Sequence, residues 1–366
     1  MTGPAGRRER LAAELPAREL DWLIVADGHD LRWLTGFTGT SGLALVPAVA
    51  GGEAIFVTDF RYVEQASGQL PAGWTVSTSN LELLGAGLGE ATGGLELGRV
   101  GFDPSQVTVE QLAALTEALG SRAGLVEAKG LVARLREVKD REEVERITAA
   151  SQLADSALVE VLGRGLAGRT EREVAIDLET TLVGLGAEGT SFPPIVASGA
   201  HGALPHAEPR DEPIVHGLLV TIDWGARLEG YCSDCTRTFA SGPVGGRQRE
   251  VYEVVNAARA AGIGAVRAGR SGREVDGIAR QVIEDAGLGG FFGHGLGHGV
   301  GLDVHEAPRL SPRAGSEPLE AGMVVTVEPG VYIPGELGVR IEDLIVVGPG
   351  EASVLTTLDR ELLEVD

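Results

Sequence analysis

Three of the chain's seven histidines, His294, His298 and His305, fall in one glycine-rich run, Gly293 to Glu306, GHGLGHGVGLDVHE. Imidazole is both a metal ligand and a proton carrier near neutral pH, so this density points to a metal site or an acid–base site. A flexible loop with adjacent histidines is the plainer alternative, and four carboxylates elsewhere bear on the choice. Asp223 ends the apolar stretch VTID, Asp234 sits within YCSDCTRTF, Glu328 ends MVVTVE, and Glu342 lies inside VRIEDLIVV. Each stands where the pattern predicts burial, which is costly for a carboxylate unless it is paired or metal-bound. One such acid is ordinarily a salt bridge or a strand end. Four of them with clustered imidazoles suit two divalent ions such as Mn, Co or Zn. Bridging carboxylates hold such ions about 3.5–4 Å apart, where they activate a shared water and polarise a carbonyl. In a strand of period two, Arg340 and Glu342 share a face, which sets a cation beside a ligand.

These side chains need elements to position them. Leu218–Asp223 and Tyr231–Ala240 read as strands joined by the link Gly225–Gly230, and Met323–Glu328 and Val339–Val347 as two more. A long helix is expected over Lys139–Arg164: Val144, Ile147, Ala150, Leu153 and Leu158 recur near helical spacing, with Glu142, Glu143, Glu145 and Arg146 as the wet face. Thr170–Gly184 is a second helix, opened by Thr170 with Glu173 three residues on, and Gln248–Val266 and Glu274–Ala286 are two more. Upstream, short strands at Trp22–Ala26, Leu43–Val46, Ala54–Val57, Trp74–Ser77 and Val100–Phe102 alternate with helices at Arg7–Glu14, Arg61–Leu70 and Thr108–Leu119. Such alternation predicts an α/β domain with a mostly parallel or mixed sheet. A chain of 366 residues exceeds the usual single core, and composition shifts near Lys129, so the expected boundary is at 128–135, giving domains 1–130 and 131–366.

Composition sets further bounds. Hydrophobic content of 43% with 23% charged residues is that of a globular protein, and the 54 glycines, interspersed with apolar runs, predict many tight turns. With 31 basic against 53 acidic residues the net charge is −22, which works against a phosphate backbone, so nucleic acid is not an expected partner. The run Trp33–Gly52 is uncharged but too rich in Thr, Ser, Gly and Pro for a membrane span, and MTGPAGRRERLAAEL lacks the apolar region of a signal peptide. No membrane partner and a cytoplasmic location are therefore expected. The lone C-x-x-C, Cys232 to Cys235, reads as core or flank, and His29, His201 and His216 as loop or surface residues. Asp303 and Glu306 are expected to make structural hydrogen bonds.

The motifs TIDWG, YCSDCTRTF, HGLGH, VTVEPG and VRIEDL resemble those of the pita-bread metallopeptidases, in the branch of Xaa-Pro dipeptidase (prolidase) and aminopeptidase P. The match assigns all five metal ligands of that family, in order, to Asp223, Asp234, His298, Glu328 and Glu342. TGFTGTSG at 35–42 and TDFRYVEQA at 58–66 are similar to segments of the branch's N-terminal domain, which methionine aminopeptidases of the same fold lack. The resemblance implies an α/β N-terminal creatinase/prolidase-like domain and an α+β C-terminal pita-bread catalytic domain of two pseudo-symmetric halves curving around the metals. It also implies two divalent cations, manganese first and Co or Zn as alternatives, small peptide substrates with Pro at the second position, and a homodimer.

Other roles follow from the resemblance one residue at a time. Glu328 is ligand and proton shuttle, taking a proton from the metal-bridging water and passing it to the leaving nitrogen. His206 and His294 lie near substrate, His305 stabilises the carbonyl oxygen as it becomes tetrahedral, and Arg340 contacts substrate or orients its neighbours. Tyr231 matches a tyrosine close to the second metal aspartate. Arg309 follows His305 by four residues, as does an arginine of microbial prolidases that binds the proline carboxylate, which favours a dipeptidase. An aminopeptidase P acting on longer peptides is the alternative. A catalytically inactive peptide-binding relative is the other class, but such relatives have lost metal ligands that are all present here.

Overall fold

A computed structural model of the chain describes residues 3–366. They divide into two compact units between Arg136 and Glu137, just past the expected zone of 128–135. Arg136 belongs with the first unit because its guanidinium pairs with the buried Asp30 at 2.7 Å.

In the first unit the strands are β1 (Trp22–Val25), β2 (Leu43–Pro47), β3 (Ala54–Thr58), β4 (Trp74–Thr78), β5 (Gly98–Phe102) and β6 (Ala123–Glu127). They form one mixed sheet in the order β4-β3-β2-β1-β5-β6, antiparallel through β1, β2 and β3 and parallel at both flanks. Helices α1 (Gly3–Glu14), α2 (Gly28–Thr35), α3 (Val63–Gln69), α4 (Leu88–Thr92), α5 (Val109–Leu119) and α6 (Leu131–Glu137) complete it. Leu115 and Leu119 of α5 pack with Leu88 of α4 on Leu43, Leu45 and Val57 of the sheet. Thr108 caps α5 in a full capping box with Gln111, an arrangement worth about 1 kcal/mol.

The second unit pairs two helices with a sheet, twice. Helices α7 (Arg141–Leu162) and α8 (Glu171–Gly184) open on capping boxes from Asp140 and Thr170. They cover the sheet β12-β9-β8, built from β8 (Ile195–Ser198), β9 (Leu218–Trp224) and β12 (Cys235–Ser241). A small sheet of β7 (Gly189–Thr190), β10 (Ala226–Leu228) and β11 (Tyr231–Cys232) lies at one end. Helices α9 (Gly246–Ala265) and α10 (Gly272–Asp285) pack on a second group of strands: β13 (Gly297–Gly299), β14 (Glu306–Leu310), β15 (Val324–Val327), β16 (Gly330–Ile333), β17 (Leu337–Arg340), β18 (Asp343–Val346) and β19 (Ser353–Val354). These are the two α/β halves the resemblance implies.

Strand alternation decides which side chains face the helices and which face the other way. On β9, Val220, Ile222 and Trp224 join the core of α7 and α8, and the Trp224 indole donates to Ala154 O at 2.9 Å. Thr221 and Asp223 therefore point to the opposite face. On β12, Cys235 and Phe239 join that core while Thr236 and Thr238 face away. Val325 and Val327 of β15 and Leu337 and Val339 of β17 enter the core of α9 and α10, leaving Thr326 and Arg340 on the other side. Each half thus carries a helix-covered apolar face and a polar face.

Two expectations need correction. Glu143 is not on the wet face of α7: it is buried, and it accepts a hydrogen bond from the Tyr231 hydroxyl at 3.1 Å and closes the capping box with Asp140. His201 lies in the connection after β8, as expected of a loop residue, and its Nδ1 donates to the buried Glu171 carboxylate at 2.8 Å. The expected strands Tyr231–Ala240 and Val339–Val347 are each broken, at Ser233–Asp234 and at Ile341–Glu342. Both cysteines are buried and unbridged.

Candidate metal centre

The two strand breaks occur where the chain changes partners, and each leaves an acid there. Cys232 pairs with Arg227 of β10, whereas Cys235 pairs with Trp224 of β9, so Asp234 sits at the crossing. Likewise β17 pairs with β16 and β18 with β15, with Glu342 between them. The freed backbone at Glu342 is satisfied by a 3.0 Å hydrogen bond from its N–H to Thr236 O. A regular strand would have continued the ladder at these positions; both acids keep the parity of Thr236 and Arg340 and so stay with the polar face. Arg340 and Glu342 still converge, because Thr236 Oγ1 accepts from Arg340 Nε at 3.0 Å and donates to Glu342 Oε2 at 2.7 Å.

His298 comes from the middle of β13. Its neighbours Gly297 and Gly299 do not serve by unusual backbone angles but by absence of a side chain: a Cβ on either would lie 2.1 Å from a carbonyl oxygen, of Thr326 and Ala307 respectively. The glycines therefore let β14 and β15 press against both sides of the histidine strand. Nδ1 of His298 donates to Gly299 O at 3.0 Å, which fixes the tautomer and leaves Nε2 to face Glu328 Oε1 at 3.3 Å and Asp234 Oδ2 at 3.5 Å. Thr326 braces the same corner, accepting from His298 N–H at 3.0 Å and donating to Glu328 Oε1 at 3.2 Å.

Asp223, Asp234, His298, Glu328 and Glu342 line one cavity of about 760 Å³, together with His206, His294, His305, Arg309 and Arg340. Three overlapping trios, Asp234–His298–His305, His298–Glu328–Glu342 and Asp223–Asp234–Glu342, each present ligand atoms within 4.8 Å of one another. Tyr231, expected to contact substrate, is not among the lining residues; its hydroxyl donates to Glu143 instead. Asp303 and Glu306 do not line the cavity either, and Glu306 pairs with the buried Lys139 ammonium at 2.5 Å.

The electrostatics of this cluster call for positive charge. Burial pushes Asp234 and Glu342 well above the usual carboxylate range, and neighbouring carboxylates push them further. Burial, opposed by Arg340, raises Glu328 to about 7. His298 and His294 are driven down to about 4, chiefly by burial, so both rings are neutral and can offer a lone pair. Arg340 sets its guanidinium against the acids, bonding Asp223 Oδ2 at 2.6 Å, while Asp223 Oδ1 is buried without a partner. An orphaned carboxylate oxygen beside the buried Asp234 and Glu342, the partly buried Glu328 and a neutral imidazole fits divalent cations as partners.

Sequence reasoning missed Tyr332, whose hydroxyl meets His294 Nε2 at 2.9 Å and accepts from Arg340 Nη1 at 3.0 Å. Nothing in its strand, GVYI, distinguishes it from a core tyrosine. Thr236 and Thr326 were legible in principle, as threonines at polar-face positions two residues from a singled-out acid in otherwise apolar strands.

The profile of metallopeptidase family M24 matches residues 145–349, which hold all five acids and imidazoles of the cluster. The chain belongs to metallopeptidase family M24. Residues 7–138 match the creatinase/prolidase N-terminal domain. A Bacillus subtilis relative, the uncharacterized peptidase YqhT, is 40% identical over 344 residues, covering 94% of this chain and 96% of its own. Among solved structures, an Xaa-Pro dipeptidase from Bacillus anthracis superposes with a TM-score of 0.93 at 38% identity, covering 99% of both chains. An X-Pro aminopeptidase from Thermotoga maritima gives 0.90 at 33%, covering 98% of this chain and all of the other (100%). As an M24 member the chain is a metallopeptidase, and the inactive-relative alternative falls away.

Proposed function

We propose that this M24 enzyme is an Xaa-Pro dipeptidase, with Asp223, Asp234, His298, Glu328 and Glu342 holding two divalent cations. The observation that carries the dipeptide reading is Arg309. It sits on β14 opposite His298 in the strand register, lines the same cavity, and makes no ion pair among the described residues. A dipeptide presents its carboxylate next to the cleaved bond, within reach of such a guanidinium; a longer peptide has an amide there.

The cations, when bound, supply charge that lowers the pKa of water and polarises the scissile carbonyl. Glu328 accepts the proton of the attacking water as its oxygen bonds to the carbonyl carbon. It returns that proton to the prolyl nitrogen as the C–N bond breaks, so atoms and charge balance. Thr326 orients Glu328 for this, and Arg340 holds the Asp223 carboxylate in place through its 2.6 Å hydrogen bond to Oδ2. His305, exposed at the cavity and lowered in pKa by partial desolvation and by Arg309, is suited to donate as a neutral ring to the carbonyl oxygen as negative charge builds on it. His206 and His294 complete the wall around the substrate.

Manganese as the ion, a homodimer and a cytoplasmic setting belong to the same proposal; no helix among the described residues is long and apolar enough to cross a membrane. The test is a length series, Xaa-Pro against Xaa-Pro-Yaa and longer, with Mn, Co and Zn in turn. A dipeptidase cleaves the dipeptide best, and Arg309→Ala should raise its KM by roughly 10- to 100-fold, the size of a lost charge-assisted hydrogen bond, with much less effect on the tripeptide. Equal losses on both substrates would transfer the reading to an aminopeptidase P.

A further inference from the structure

The segment from Ser198 to Arg210 carries Pro205, His206 and Glu208 into the cavity wall, yet after the end of β8 its regular structure is only a 3-10 helix, Gly199–Ala203. Its rigidity has a source outside the cavity. Glu171, the first residue of α8, is fully buried and receives six donors from the two ends of this segment. Oε1 accepts from Ser198 N–H and Oγ, both at 2.8 Å, and from Arg210 Nη2 at 3.4 Å. Oε2 accepts from His201 Nδ1 at 2.8 Å, from Arg210 N–H at 3.1 Å and from Arg210 Nε at 3.3 Å. The backbone repeats the attachment, since Arg172 N–H of the first helical turn donates to Arg210 O at 3.0 Å.

The middle of the segment is fixed from the other side. Arg340 Nη1 donates to Pro205 O at 3.1 Å, and the backbone at Gly202 lies so close to β17 that a Cβ on Gly338 would fall 1.7 Å from Gly202 O. With both ends on Glu171 and the middle on Arg340 and β17, the residues between have little freedom left. We propose that Glu171 is a positioning residue, clasping both ends of the 198–210 segment and so holding His206 at the metal centre. The inference rests on the substrate role of His206 given above.

Glu171→Gln removes the charge that draws Arg210 and His201 together while keeping the side chain's size. Amide hydrogen exchange of residues 199–210 should then rise about tenfold or more, with exchange of β9 and the bound metal unchanged. For the Xaa-Pro dipeptide, kcat/KM should fall about 10- to 100-fold, carried mainly by KM, the cost of a displaced substrate contact. Arg210→Gln, at a side chain 43% exposed, should give the same pattern more weakly and decides the matter if Glu171→Gln does not fold. Unchanged exchange in 199–210, or a rise spread equally over the whole second unit, would overturn the clasp. A wild-type enzyme that cleaves no Xaa-Pro peptide would sink the functional reading instead, and the exchange result would stand on its own.

Discussion

In the proposed mechanism Glu328 both binds a cation and carries a proton, and the 3.2 Å hydrogen bond from Thr326 Oγ1 fixes one of its oxygens for that double task. Gln at this position keeps the volume and one acceptor oxygen but can neither take up nor release the proton. Glu328→Gln should lower kcat by about 10²- to 10⁴-fold, the usual weight of a general acid–base group, and weaken metal binding as well. Steady-state kinetics beside metal analysis check both effects, and near-normal turnover would contradict the double role. At this scale much of the site could be read from sequence, because an acid at the end of an apolar strand is an energetic anomaly whatever the fold. Tyr332 could not be read: its function lies in a hydroxyl contact with His294 and Arg340, and a tyrosine in a strand is ordinary.

Between residues and the molecule stand the strands and the close approaches that set them. Helix starts were visible in sequence where Thr170 and Glu173 form the capping box expected of them. The breaks at Asp234 and Glu342 were not visible, because a strand that changes partner keeps the same apolar pattern on both sides of the change. Gly338 and Gly277 show how a glycine's meaning depends on its neighbours. A Cβ on Gly338 meets the backbone of Gly202, which cannot swing away as a flexible side chain can. Gly338→Ala should therefore destabilise by roughly 1–3 kcal/mol or more, as overpacking does, and raise KM by displacing Arg340. Gly277, inside α10 with no atom within 4 Å of its would-be Cβ, should gain about 0.5–1 kcal/mol on conversion to Ala. Urea unfolding of the two variants gives opposite signs if these assignments hold. Glu171 adds a pH dependence: burial raises its carboxyl, but hydrogen bonds from Arg210 and Ser198 outweigh burial and hold it below the ordinary glutamate value, with His201 also facing it. A depressed folded pKa stabilises above the unfolded value of about 4.3, and that share is lost as pH falls through the folded value. The stability gap between wild type and Glu171→Gln should be level from pH 6 to about pH 5 and shrink below it; a gap that widens in acid would refute the assignment.

For the molecule as a whole the governing fact is a second unit whose centre is built against electrostatics. A chain of net charge −22 places four carboxylates on facing polar surfaces of its two halves, with only the guanidinium of Arg340 bonded to one of them among the described residues. Both halves contribute: Asp223 and Asp234 come from the strands under α7 and α8, and His298, Glu328 and Glu342 from those under α9 and α10. A cation bound there neutralises repulsion between the halves as well as serving chemistry, so binding and folding of this unit are linked. The two-domain organisation was legible from length and composition, whereas this convergence was not, because the sequence separates the halves by two helices. Removal of metal with a chelator should lower the melting temperature. Free Mn at 100 times its dissociation constant should restore about 2.7 kcal/mol, or roughly 5–11 °C for a unit of this size. The shift should grow with the logarithm of metal concentration and shrink in Asp223→Asn, in which the orphaned oxygen no longer carries charge. Calorimetry across a Mn, Co and Zn titration reads this directly, and a melting temperature indifferent to all three ions would mean that the buried acids are held in some other way.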